Sequence, residues 1–146
     1  MINLEPARET GLLPEQYAAI AAFRFELRRF QEFSKAAAKA AGLPPQQHQA
    51  LLTIAGHTGP EPPSIGTIAE QLIIASNAAA ELVTRMVDAA LLTKTPSCQD
   101  RRRMELTLTR QALVLLDQLT AVHLEELRTL EAALKHALDR FRGHAK

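Results

Sequence analysis

The densest chemistry in the chain is the run Asp100-Arg101-Arg102-Arg103, three consecutive guanidinium groups behind one carboxylate. Three like charges in a row repel one another and suit an anionic surface such as a phosphate backbone. An arginine is also drawn to the enhanced negative potential of a narrow minor groove. Asp100 stands two residues before Arg102, near enough to hold its guanidinium in one orientation by a charge-assisted bond. Other chemistry finds less support. The histidines are His48, His57, His123, His136 and His144; none has a cysteine or carboxylate at ligand spacing, so no metal site is expected. No nucleophile–base pair and no phosphate-binding glycine loop is present, so the reading is of a non-enzyme with no catalytic residues and no cofactor. Cys98 is the single cysteine. Its basic neighbours favour a thiolate, but it has no resolving partner and reads as a plain exposed thiol.

These residues need elements to position them. The chain has 146 residues, 47% apolar and 4% aromatic, with Ala and Leu prominent, which favours helix over sheet. There is no apolar run long enough for a membrane span and no signal-peptide pattern at the start, so a soluble cytoplasmic protein is expected. Residues 1–13 read as a flexible tail. Pro14 opens a long helix to about Ala41, with Ile20, Phe23, Leu27, Phe30, Ser34 and Ala37 on one face. Gly42 ends it, and Pro44-Pro45 opens a second helix that turns Ala50, Leu51, Ile54 and Ala55 inward. The Gly/Pro-rich stretch 56–63 is a loop.

Ser64 then reads as an N-cap for a short helix with Ile65, Ile68, Ala69 and Leu72 on one face. After a break at 73–75, Ser76 reads as the cap of another. Its apolar set is Ala79, Leu82, Val83, Met86, Val87 and Ala90. Two short helices separated by about three residues are what a helix-turn-helix requires. Residues 92–97 disfavour helix, and 103–108 alternate, with Met104, Leu106 and Leu108 on one side, so a β-hairpin with a polar tip at 98–102 follows. Thr109 caps a last helical stretch to about Arg142; Thr129 leaves open whether it is one helix or two.

Helix, turn, helix and hairpin in that order make a winged helix-turn-helix. Burying Leu82, Val83, Met86 and Val87 leaves Ser76, Asn77, Ala78, Ala80, Glu81, Thr84 and Arg85 outward. Asn and Arg on such a face can make bidentate contacts to adenine and guanine in the major groove, and the small alanines allow close approach. Ser76 and the helix N-terminus suit a phosphate.

The runs Ile65-Gly66-Thr67-Ile68-Ala69-Glu70-Gln71-Leu72, Ala80–Leu92 and Asp100-Arg101-Arg102-Arg103-Met104-Glu105-Leu106-Thr107-Leu108-Thr109 together resemble the multiple antibiotic resistance regulator (MarR) family. The wing pattern D-x-R, followed by an alternating strand ending L-T, is the most distinctive part. The resemblance is strongest over 64–109 and extends through the flanking helices to about 14–142. It implies a homodimer with interlocking terminal helices, a recognition helix in the major groove, a wing arginine (Arg102, partnered by Asp100) in the minor groove, and often repression relieved by a small molecule. An effector pocket would by resemblance lie between the dimer arm and the DNA-binding lobe; His48, Phe23 and Leu116 are candidates that core packing explains equally well. Two features depart from the pattern. Residues 43–109 carry five cations against six carboxylates, and the C-terminal region lacks an obvious loop between two last helices.

The expected fold is therefore mainly α: a single domain over 14–146, with a winged helix-turn-helix lobe at 43–108 bearing a two-stranded wing, and long dimerisation helices at 14–42 and 109–142. Ile20, Phe23, Leu27, Leu127, Leu130, Leu134 and Leu138 are the candidate dimer residues, because long amphipathic helices at both ends cannot bury their faces in so small a lobe. The expected partners are double-stranded DNA, a second copy of the chain and a small-molecule effector, without a membrane. The acidic balance of 43–109 favours one alternative, a winged-helix protein-interaction module that does not read DNA.

Overall fold

The computed structural model describes residues 11–142, so most of the expected tail and His144 lie outside the described residues. The elements are α1 (Pro14–Ala40), α2 (Pro45–Ala55), α3 (Ile65–Leu72), α4 (Ser76–Asp88), β1 (Leu92–Pro96), β2 (Met104–Leu108) and α5 (Arg110–Asp139). The fold is mainly helical, a winged helix with one two-stranded antiparallel sheet. The chain divides into two compact units, one of residues 34–122 and one of 1–33 with 123–146.

The unit 34–122 is built on one apolar core. Leu51, Ile68, Val83, Met86 and Leu92 are its largest fully buried side chains, joined by Ala50, Ala79, Leu82, Leu106 and Leu116. Each large side chain so buried contributes about 1.5–3 kcal/mol. α2 starts on Pro45, where the missing N–H is an orphan of any helix start. Ala50, Leu51 and Ile54 face inward as expected, and His48 is buried beside them; Ala55 is exposed. At α3 the Ser64 hydroxyl accepts the Thr67 N–H (3.4 Å), while the Thr67 hydroxyl accepts the Ser64 N–H (3.0 Å), a reciprocal cap.

Three helices in this unit close in the same way, with one residue in left-handed conformation and two backbone bonds that satisfy the last carbonyls. After α1 that residue is Gly42 (φ 78), with Leu43 N–H donating to Ala38 O. After α4 it is Ala90 (φ 60), with Leu91 N–H donating to Met86 O. Ala90 is thus an exposed terminator beyond the helix and not the last member of its apolar face, as its spacing had suggested. After α3 it is Ile73 (φ 56), with Ile74 N–H donating to Ala69 O. This tight closure makes the turn between α3 and α4.

The hairpin pairs Leu92 with Leu108 through to Pro96 with Met104. Strand β2 begins at Met104, one residue later than the alternation suggested. Its second edge is also engaged: Leu106 N–H donates to Pro63 O at 2.8 Å, and Ser64 bridges to Glu105. Thr109 caps α5 through the Ala112 N–H (3.2 Å), and its hydroxyl donates to Ala90 O at 2.7 Å.

In the other unit, Gln16 is buried and ties segments far apart in sequence. Its Oε1 accepts Leu13 N–H (2.7 Å) and its Nε2 donates to Arg140 O (3.0 Å). His123 is buried with its ring edge-on to Phe30 and Phe33, at centroid distances of 5.8 and 5.3 Å. α5 is one continuous helix of 30 residues. Thr129 does not break it: its hydroxyl donates back to Glu125 O, and no Gly or Pro interrupts the segment.

Ile73 combines a β-branched side chain, a left-handed backbone and 91% exposure. The conformation costs about 1–2 kcal/mol for a residue with a Cβ, and the side chain has little burial to lose. Ile73→Gly is expected to stabilise the protein by about 0.5–1 kcal/mol, after allowing for the greater unfolded-state freedom of glycine. Thermal unfolding followed by circular dichroism checks this; a lower Tm would contradict it.

Candidate nucleic-acid interface

Helical periodicity fixes which residues of α4 look outward. Ala79, Leu82, Val83 and Met86 are buried, which leaves Ser76, Asn77, Ala78, Glu81, Thr84 and Arg85 exposed. Ala80 is only half exposed and contributes less to the free face than its position suggested. The Thr84 hydroxyl donates to Ala80 O at 3.0 Å, so its proton is already engaged. Ser76 is not the cap: the N-cap is Ala75, which has no side-chain oxygen to offer. The sequence pattern misleads because a serine near a helix start is a cap only one position earlier, and the three-residue turn 73–75 sets that register. The first amides of α4 consequently lack a side-chain cap, and Ser76 lies in the first turn with them.

The wing tip is a compact, self-bonded turn. Ser97 N–H donates to Arg103 O (2.8 Å) and Arg103 N–H to Asp100 O (2.9 Å). The Ser97 hydroxyl accepts Gln99 N–H (3.2 Å) and Asp100 N–H (3.4 Å). The Asp100 carboxylate accepts the backbone N–H of Arg102 at 3.0 Å. This corrects the expected pairing. Asp100 shapes the turn through the main chain of Arg102, and no ion pair joins it to that guanidinium among the described residues. A short acidic side chain reaches the amide two residues on more readily than the far end of a long arginine.

The three arginines divide. Arg101 and Arg102 are exposed and in no ion pair among the described residues. Arg103 is turned back: its Nη2 donates to Pro62 O at 2.6 Å and its Nη1 lies 3.4 Å from Glu61 Oε2. Sequence reasoning missed this contact because Glu61 and Pro62 lie some forty residues upstream in a loop. Only the extended Pro62-Pro63 run before the Ser64 cap hints that the loop could lie along a strand. Cys98 is exposed and lines a cleft of about 180 Å³ with Glu61, Pro62 and Arg103. Among the described residues no cluster of potential metal ligands occurs, and no helix is long and apolar enough to cross a membrane.

Two short helices with one outward face, followed by a hairpin carrying exposed arginines, match a known family. The family model described as MarR family matches residues 41–103. Over those residues the chain is similar to the MarR family. Solved structures agree in fold. AbsC, a MarR family transcriptional regulator from Streptomyces coelicolor, superposes with a TM-score of 0.66 at 18% identity, over 84% of this chain and 82% of that one. The S. aureus MepR F27L mutant bound to an oligodeoxyribonucleotide gives 0.62 at 18%, over 83% and 84%. The YusO protein of Bacillus subtilis gives 0.62 at 19%, over 90% and 100%. No curated protein matches the chain.

Asp100→Ala is expected to speed hydrogen exchange at the Arg102 amide about tenfold, the low end for loss of one bond to a charged acceptor. Asp100→Asn keeps an acceptor oxygen at the same place and should change it much less. Equal acceleration in both variants would mean that the carboxylate does not build the turn.

Proposed function

We propose that the protein is a sequence-specific, DNA-binding transcription regulator, acting as a homodimeric repressor on a pseudo-palindromic duplex site and released by a small-molecule effector. One observation carries the reading: a lobe similar to the MarR family presents a polar outward face on α4 together with an ordered wing tip whose Arg101 and Arg102 are exposed and, among the described residues, in no ion pair. An α-helix fits the major groove, where Asn77 and Arg85 have the donors to read adenine and guanine. Ser76 and the first amides of α4 suit a phosphate, and Arg102 suits the minor groove. A relative of the same fold, MepR, has been solved with DNA.

Homodimerisation is supported by apolar side chains left uncovered on the helices of the unit 1–33 with 123–146. Ile20, Leu127, Leu134 and Leu138 are exposed, and Phe23, Leu27 and Leu130 are half-buried. A two-fold dimer would cover such faces and space two recognition helices about 34 Å apart, one turn of DNA. An effector would act by favouring a dimer with the wrong half-site spacing. The alternative of a protein-interaction module draws on the acidic balance of 43–109, and it predicts partners that persist at high salt.

Selection of bound duplexes from a fragment library, followed by anisotropy against salt, tests the main reading. Saturable, salt-sensitive binding is expected. Arg102→Ala should weaken it by about 10- to 100-fold, more than Asn77→Ala, because the lobe holds few other free cations. Absence of binding to any duplex, with Arg102→Ala without effect, would overturn it. Leu127→Glu with Leu138→Glu should convert a dimer to a monomer in sedimentation, and a monomeric wild type would refute the dimer.

A further inference from the structure

We propose that Arg103 is a positioning residue of the wing and not one of its contacts with nucleic acid; this rests on the DNA-binding reading above. Arg103 sits in the same run as Arg101 and Arg102, yet its guanidinium is committed elsewhere. Nη2 donates to the Pro62 carbonyl at 2.6 Å, and Nη1 approaches the Glu61 carboxylate at 3.4 Å. Its Nε is buried, and the side chain is 30% exposed. A guanidinium so held would have to leave both partners before it could meet a phosphate.

The same residue closes the wing tip with its main chain. Its carbonyl accepts Ser97 N–H and its N–H donates to Asp100 O. Arg103 therefore joins two things at one point: the turn that carries Arg101 and Arg102, and the loop 56–63. That loop is itself fastened to β2 by the Leu106–Pro63 bond and the Ser64–Glu105 bridge. A hairpin of two five-residue strands is marginal by itself, so a side-chain tie at its outer end decides how firmly the tip is aimed. The planar fork matters here. Two donors on one rigid group reach a carbonyl and a carboxylate on successive residues, which a single ammonium cannot reproduce.

The proposal reverses a sign. Glu61 is a carboxylate beside the tip, and its neutralisation should tighten binding to a polyanion if charge alone matters. If Glu61 and Arg103 hold the wing, neutralising Glu61 weakens binding instead.

The test uses the full chain and a duplex selected from a random pool. Affinity is read by anisotropy and main-chain order by hydrogen exchange of the DNA-free protein. Glu61→Gln is expected to weaken binding about threefold, within the range of a partly exposed ion pair. Arg103→Lys should weaken it as much as Arg103→Gln, about tenfold, although it keeps the charge. All three variants should speed exchange at the Ser97 and Arg103 amides while melting close to wild type. Tighter binding by Glu61→Gln, wild-type affinity in Arg103→Lys, or unchanged exchange at both amides would each overturn the proposal. If the wild type binds no duplex, the DNA reading fails, and the exchange measurement alone decides whether Arg103 holds the wing.

Discussion

The arrangement depends on one buried stripe of α4. Ala79, Leu82, Val83 and Met86 enter the core that Leu51, Ile68 and Leu106 complete. A helix has 3.6 residues per turn, so committing this stripe to the interior leaves no freedom over what remains outside. Asn77, Ala78, Glu81, Thr84 and Arg85 are outward because their neighbours are inward. The same core receives Leu92 and Leu106 from the hairpin, so the packing that orients α4 also roots the wing.

Much of this was legible in the chain because the signals were local. Gly42, the Ser64 cap, the apolar spacing of α3 and α4, and the alternation through Leu108 each report on a few neighbouring residues. The less legible features depend on geometry that spacing does not encode. The capping position at Ala75 follows from where the left-handed closure at Ile73 leaves the chain. The bond from Asp100 goes to an amide because the tip is folded as a turn. The pairing of Arg103 with Glu61 and Pro62 needs the loop to lie against the wing, which is a tertiary event. The continuity of α5 through Thr129 was left open by the sequence, since a mid-helix threonine is compatible with either outcome.

The charge distribution of the lobe gains meaning from this geometry. By count, residues 43–109 are slightly acidic. By position, the tip carries two exposed arginines whose backbone is already ordered by Ser97 and Asp100. Pre-ordering lowers the entropy lost when such groups engage an anionic surface. A lobe with few cations then relies on where they are held more than on how many there are.

The wing also shows how an exposed sheet avoids joining another. Strand β2 is covered on one side by β1 and on the other by Pro63 and Ser64, so its backbone has no open row of donors and acceptors. The free edge is β1, which is five residues long, exposes Lys94, and ends on Pro96 with no N–H to give. Short length, charge and proline are the features that keep edge strands from recruiting neighbours. The hairpin can therefore stand out from the lobe without becoming a seed for aggregation between copies.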